Sequence, residues 1–188
     1  MAKYKRTKSE GKIAHKKTEI DGIIFDSKME SEYYIYLKAE KKAGRVIDFE
    51  LQPVYVLQPK YINYDSKIYT EDHPKYKEID TLRKKYNKEN PDNKIGIVQA
   101  IKYKSDFKIT YKDGSIKVID VKGIKTADFK LKEKMFKFRY PNLEFECVIW
   151  DGPSKAWLEY SEYEAAKKAR KANKTPKAKK AVKTKKKK

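Results

Sequence analysis

Cysteine is almost missing from this chain of 188 residues: Cys147 stands alone, which excludes a disulfide-stapled secreted scaffold. Histidine occurs only twice, as His15 and His73, far apart and in polar stretches, so nothing suits a zinc centre. No glycine-rich phosphate loop is present. No apolar run approaches the ~18 residues that a bilayer span requires. The lysine-rich start Met1–Lys17 lacks the apolar core of a signal peptide. Apolar residues are scarce as well, at 39% with a mean hydropathy of −0.95. These absences predict a soluble cytoplasmic protein with no membrane partner, built as one domain plus extensions.

What is abundant is positive charge, with 47 Lys+Arg against 27 Asp+Glu and a formal net charge of +20. Its distribution matters more than its total. Met1–Lys17 holds seven bases and one acid, and Lys167–Lys188 holds thirteen bases and no acid, which leaves the middle near neutrality at +1. The predicted organisation is a basic arm over residues 1–19, a domain over 20–164 with an insertion at about 60–97, and a lysine-rich tail over 165–188. Such ends cannot bury enough apolar surface to offset ordering entropy, so disorder is expected there. Contact with phosphate through counterion release is their natural role. A tail that grips nucleic acid says nothing about catalysis, so the neutral middle carries that question.

In the middle, Ile23-Ile24-Phe25 reads as an apolar lead-in. Asp26-Ser27 follows as a cap, and Glu30 completes a capping box. The helix is predicted to run to about Ala43, with Gly44 as its stop and Met29, Tyr33, Tyr36 and Leu37 as its apolar stripe. Strands are predicted on both sides of Pro53, over Val46–Leu51 and Val54–Leu57. The polar, weakly periodic stretch 60–97 is assigned one short helix around Glu78–Tyr86. A hairpin follows, Ile101–Tyr111 with Ser115–Val121, turning at Asp113-Gly114. A second helix over Ala127–Arg139 presents Leu131, Met135 and Phe138 on one side and Lys130, Lys134 and Lys137 on another. Phe145–Trp150 is the last strand, and Trp157–Lys171 a C-terminal helix. The order helix, strand, strand, strand, helix, strand describes an α/β layer architecture with a mixed sheet flanked by helices.

Four polar residues resist explanation as surface decoration. Asp120 ends a strand that otherwise reads as core, and period two places Lys122 on the same face. Asp106 lies on the partner strand, where the hairpin register decides its neighbour. A two-residue turn sets Phe107 opposite Asp120. A three-residue loop with Gly114 in the left-handed conformation pairs Tyr111 with Ser115 and sets Asp106 opposite Asp120. Facing carboxylates repel unless a cation lies between them. Glu30, bordering the buried face of the first helix, can supply a third carboxylate. Oxygen ligands suit Mg²⁺, which keeps several waters and bridges to phosphate. Lys122 would then orient the attacking water or stabilise the developing phosphorane, and the reaction class is phosphodiester hydrolysis.

These residues resemble the PD-(D/E)XK nuclease superfamily, whose core is the restriction-endonuclease-like αβββαβ. Asp106 followed by Asp120-Val121-Lys122 looks like its signature, with Glu30 as the acid from the first helix. The phrases Phe25–Glu30, Leu51-Gln52-Pro53, Ser105-Asp106-Phe107 and Asp120–Gly123 are similar to a phage-encoded family of unknown function near RecU-type Holliday-junction resolvases and the TnsA endonuclease. Ser105 stands where the signature often has Pro, and Asp120 where many relatives have Glu. The resemblance implies a Mg²⁺-dependent endonuclease, with Mn²⁺ as a substitute, acting on duplex or branched DNA in the host cytoplasm. Glu30, Asp106, Asp120 and Val121 would hold the metal, Lys122 would be the catalytic lysine, and Gln52 and Lys132 would be auxiliary. Lys130, Lys134 and Lys137 would grip the phosphate backbone. Resolvases of this kind act as dimers, because two symmetric cuts need two sites, so a homodimer is among the expectations. The rival readings are a non-catalytic nucleic-acid-binding protein with a degenerate nuclease fold, and an RNA-binding protein whose tyrosines stack on unpaired bases.

Overall fold

The structure is a computed structural model and describes residues 17–173. Most of the basic arm and most of the lysine-rich tail fall outside these residues. The chain opens with a hairpin that the sequence reading reduced to a lead-in: β1 (Thr18–Ile20) pairs antiparallel with β2 (Ile23–Phe25). Asp21 and Gly22 make its turn with φ of 55° and 75°, the left-handed pair that matches strand twist. Asp21 Oδ2 accepts hydrogen bonds from Tyr34 Oη (3.0 Å) and Lys38 Nζ (2.6 Å), which tie the hairpin to the first helix.

That helix, α1 (Lys28–Lys42), starts on the expected capping box. Glu30 N donates to Ser27 Oγ (3.2 Å), and Ser27 Oγ donates to Glu30 Oε1 (2.8 Å). Gly44, at φ 71°, ends it. The buried face is Tyr33, Tyr34 and Leu37; Tyr36, expected on the stripe, is 39% exposed.

Two strands follow, β3 (Val46–Leu51) and β4 (Val54–Gln58). The span 60–97 is more ordered than its weak periodicity implied. It holds β5 (Tyr61–Tyr64), β6 (Lys67–Thr70) and α2 (Tyr76–Glu89), and β7 (Ile97–Val98) returns to pair with β5. Ile62 and Ile79 are its buried anchors. The Asn87 side chain clasps the Ile95 backbone from both sides, accepting at 2.8 Å and donating at 2.9 Å.

The long strand expected over Ile101–Tyr111 is in fact two: β8 (Ile101–Lys104), paired with β4, and β9 (Phe107–Tyr111). The break at Ser105-Asp106 lies beside Gln52, whose φ of 52° bends the chain between β3 and β4. Ser105 N donates to Pro53 O (3.2 Å) and Gln52 N donates to Asp106 O (2.9 Å). Both strands therefore leave the main sheet at one corner. Odd-numbered residues stay buried across it but change sides: Phe107 and Ile109 join one core cluster, Tyr103 the other. Alternation alone does not report this, because the parity never changes.

The main sheet has the order β12-β11-β10-β9-β3, where β10 is Ile116–Val121, β11 is Glu144–Asp151 and β12 is Ala156–Glu159. Only β10 and β11 are parallel, and α3 (Ala127–Arg139) makes the crossover that such a pair needs. Helix α1 covers one face, over Phe107, Ile109, Ile119, Val121 and Val148. Helix α3 covers the other, over Tyr103, Val118, Phe145 and Cys147. The α/β class and the core order αβββαβ are as expected.

Two helix readings need correction. Helix α3 buries Phe129 and Phe136, whereas Leu131 (59% exposed) and Phe138 (89% exposed) face solvent. Aromatic volume at 129 and 136 fills the space over the sheet, and Met135 only borders it. Trp157, Leu158 and Glu159, assigned to the start of the C-terminal helix, lie instead in the edge strand β12, where Trp157 pairs with Trp150. Helix α4 (Tyr160–Asn173) starts only after it and continues into the span assigned to the tail. Arg170 fastens it to β11 by two bonds to the buried Asp151 carboxylate, at 2.7 and 2.6 Å.

Candidate active site

The hairpin between β9 and β10 positions the acids. Tyr111 N donates to Ser115 O (2.9 Å), and Gly114, at φ 85°, closes a three-residue loop. Thr110 pairs with Ile116 and Phe107 with Ile119. The pairing ends at Phe107 and Ile119; one residue before Phe107, Asp106 stays on β10, its N donating to Ile119 O (3.2 Å), which brings its carboxyl into the field of Asp120. Of the two registers open to the sequence, the three-residue loop is the one found.

Asp120 is 1% exposed, among Tyr103, Val118 and Cys147. Tyr103 Oη donates to Asp120 Oδ2, a partner that no sequence signal identified, because it depends on the side-switch at the 105–106 corner. Asp120 Oδ1 lies 2.9 Å from Lys122 Nζ in an ion-pair contact, yet it is a buried oxygen without a hydrogen bond. Asp106 Oδ2 accepts from Val121 N at 2.7 Å. The Val121 side chain belongs to the core, so only its carbonyl oxygen is left to face a cation. Glu30 is 9% exposed, with Oε1 held by Ser27.

The charges of these groups act on one another. Burial, then Asp120 and Glu30, push the Asp106 carboxyl up to about 8. Glu30 is raised, mainly by burial, against the Ser27 hydrogen bond and the Lys122 charge, which favour its ionised form. Burial opposes the charge on Lys122, but Asp120, Asp106 and Glu30 together outweigh it, so its pKa is raised and the ammonium persists. Three carboxylates against one ammonium leave the site short of positive charge. The donor set, all oxygen, suits a hard divalent cation, which would take the place of the Lys122 ammonium on Asp120 Oδ1. Among the described residues no three acidic, His or Cys side chains stand in a metal-holding arrangement. Each carboxylate is turned onto its own partner: Lys122, the Val121 amide or Ser27.

The other expected site residues divide. Gln52 is brought to the acids by its backbone bond to Asp106, and its Oε1 accepts from Lys104 Nζ (3.3 Å). Lys132 is paired with Asp128 at 3.0 Å along its own helix. Lys137 pairs with Glu133 (2.9 Å), while Lys130 and Lys134 are exposed on α3. Residues missed beforehand are Tyr103, Phe129, whose ring lies 5.5 Å from Lys122 Nζ, and Ser105, fully buried with an unbonded hydroxyl. Cys147, buried as expected, has its thiol pushed up to about 12 by desolvation, which leaves no thiolate to act as nucleophile.

A family model described as "Protein of unknown function (DUF1064)" matches residues 10–152. The chain belongs to the DUF1064 family. No curated protein and no solved structure matches it. The DUF1064 match spans Glu30, Gln52, Asp106, Asp120 and Lys122, so the whole cluster lies within the family's domain. No helix among the described residues is long and apolar enough to cross a membrane.

Proposed function

We propose that this protein is a Mg²⁺-dependent endonuclease that hydrolyses DNA phosphodiester bonds, with Mn²⁺ able to substitute. The observation that carries the reading is the convergence at the end of the β9–β10 hairpin of Asp106 and Asp120, each in the other's field, with Lys122 against Asp120 and Glu30 close enough to act on Asp106. DUF1064 carries no assigned function, so the support is this geometry together with the likeness to the PD-(D/E)XK signature. A divalent cation, when bound, supplies charge neutralisation at phosphate and acidifies water.

The chain's own groups do the rest. Glu30, Asp106 and Asp120, with the Val121 carbonyl, would hold the cation. Tyr103 fixes one Asp120 oxygen, and the other lies against Lys122. Lys122 keeps its proton and stands as a fixed positive charge for the phosphate oxygens as negative charge develops on them. It is an electrostatic stabiliser rather than a base. The Phe129 ring, 5.5 Å from the ammonium, adds a cation–π contact that helps hold it beside Asp120.

The test is a nicking assay on linear, flapped and four-way-junction DNA with Mg²⁺, Mn²⁺ or EDTA, beside Asp120→Ala. Cleavage that needs the metal and is lost in the variant supports the reading, and equal activity in both proteins ends it. Two symmetric cuts at a junction, with a matching dimer in solution, would extend it to a resolvase. Salt-sensitive DNA binding without metal-dependent cleavage would mark the degenerate-fold alternative.

A further inference from the structure

A second site adjoins the carboxylates. Trp150 on β11 and Trp157 on β12 pair across the strands with ring centroids 5.4 Å apart, and Glu32 of α1 completes a cavity of about 300 Å³ with them. Trp150 is 41% exposed there, an unusual amount of indole to leave in water. Trp157 is braced from behind by the edge of Tyr33 at 4.9 Å.

Its position relates it to the acids. Lys122 N donates to Val148 O (3.0 Å), and Trp150 lies two residues beyond Val148, roughly 7 Å along the strand. Glu32 is two residues beyond Glu30 on α1, about 3 Å along the axis and about 200° around it, so the buried Glu30 and the exposed Glu32 leave the first turn on opposite sides. One helix turn thus offers a carboxylate to each site. Lys28, 3.4 Å from Glu32, puts an exposed ammonium at the rim.

We propose that this cavity takes one unpaired nucleobase of a DNA strand lying at the carboxylate site. The base stacks on the exposed Trp150 indole, with Trp157 inclined at 65° to it as the wall. One N–H group of the base donates to the Glu32 carboxylate, and Lys28 meets the attached phosphate. Stacking on aromatic side chains suits any base. A carboxylate accepts best from guanine, whose ring N–H and exocyclic amino group lie side by side. The inference rests on the nuclease reading only for the neighbouring strand, and it names the substrate class as DNA carrying an unpaired nucleotide, at a flap or junction, over continuous duplex.

Trp150 and Trp157 are the chain's two tryptophans, so intrinsic indole emission reports this cavity alone. The full chain is titrated in EDTA with a duplex bearing a one-nucleotide dG flap, with the same duplex bearing an abasic flap, and with a lysine-containing peptide. The dG flap is expected to quench the emission and bind roughly tenfold more tightly than the abasic one, within the range that stacking on an aromatic side chain supplies. Trp150→Ala should bring the dG flap down to the abasic level, and Trp150→Phe should keep most of the difference. Equal binding of dG and abasic flaps to the wild type overturns the proposal without reference to any variant. So does quenching by the peptide alone, which would mark a cation site. Because the titration contains no metal, base-dependent quenching without Mg²⁺-dependent cleavage elsewhere would sink the nuclease reading alone. Cleavage without base-dependent quenching would sink this inference alone.

Discussion

Replacing Asp106 by Asn should make the ion-free protein more stable. At pH 7 the unfolded chain carries this side chain ionised, at its ordinary 3.8, whereas the folded chain holds it near 8 because of burial, Asp120 and Glu30. Folding at pH 7 therefore requires uptake of a proton, which taken at face value costs about 4 kcal/mol. Asp106 is partly exposed, and water and side-chain relaxation screen such a cost, so about 2 kcal/mol is the working figure. Asn removes the proton requirement and keeps an oxygen for the Val121 amide that now donates at 2.7 Å. For a domain of this size a gain of about 2 kcal/mol raises Tm by about 4–8 °C.

The pH dependence follows from the sign. A carboxyl whose folded pKa is raised binds more protons folded than unfolded between 3.8 and about 8, so wild-type stability falls as pH rises through that window. The gap between Asp106→Asn and wild type should be widest above pH 8 and close as pH approaches 4. Thermal or urea melts across this range in EDTA measure it. Millimolar Mg²⁺ should stabilise the wild type and leave the variant nearly unchanged. A variant less stable than wild type, with a difference indifferent to pH and to Mg²⁺, would refute the repulsive cluster and leave Asp106 as a structural partner of the Val121 amide.

Tyr103→Phe leaves Asp120 Oδ2 without its donor; about 2 kcal/mol of ion-free stability should be lost in urea melts, and the nicking rate should drop with substrate KM little changed. Ser27→Ala removes the α1 cap and the hydroxyl on Glu30, costing about 1 kcal/mol and raising the Glu30 pKa further, which melts and carboxyl NMR titration can follow. Gly114→Ala meets no atom within 4 Å but must hold φ 85°, so it should cost about 1 kcal/mol through the backbone alone.

The legible parts of the fold were those set by short-range chemistry. Ser27 and Glu30 bracket the start of α1, Gly44 marks its end, Pro141 closes α3, and Asp113-Gly114 makes the hairpin turn. The candidate acids were legible for a similar reason, since Asp120 interrupts an apolar strand and the loop length limits its partner to two choices. The rest depended on long-range geometry. Nothing local says that Gln52 adopts a left-handed φ, yet that bend and the break at Ser105 turn Tyr103 from one face of the sheet to the other and onto Asp120. Phe129 and Phe136 displaced Leu131 and Phe138 from the core because ring volume, rather than helical spacing, chose the buried face. Trp157 looked like the start of a helix because its strand is four residues long and at the sheet edge, too short for alternation to register.

The places where local rules fail gather at one corner, and their chemistry weighs against a protein that only grips DNA. Gln52 bears a left-handed backbone, Asp120 is a fully buried carboxylate, and Asp106 is a carboxyl whose pKa burial and its acidic neighbours raise. Each is a cost to the fold. The bases concentrated at the two ends of the sequence offer phosphate attraction whatever lies between them, so binding DNA requires none of these costs. Above about pH 8, where Asp106 ionises as well, the clustered carboxylates would even repel a phosphate strand. A divalent cation reverses that effect, turning the repulsive cluster into an attachment point for the same phosphate. A degenerate nuclease fold would be free to lose Asp106 or Asp120 and gain stability, as the Asp106→Asn comparison measures. That both acids stand in this chain, with Tyr103 and Lys122 spent on one of them, is what the proposed hydrolysis would account for, and metal-dependent nicking lost in Asp120→Ala is the result that would decide it over binding alone.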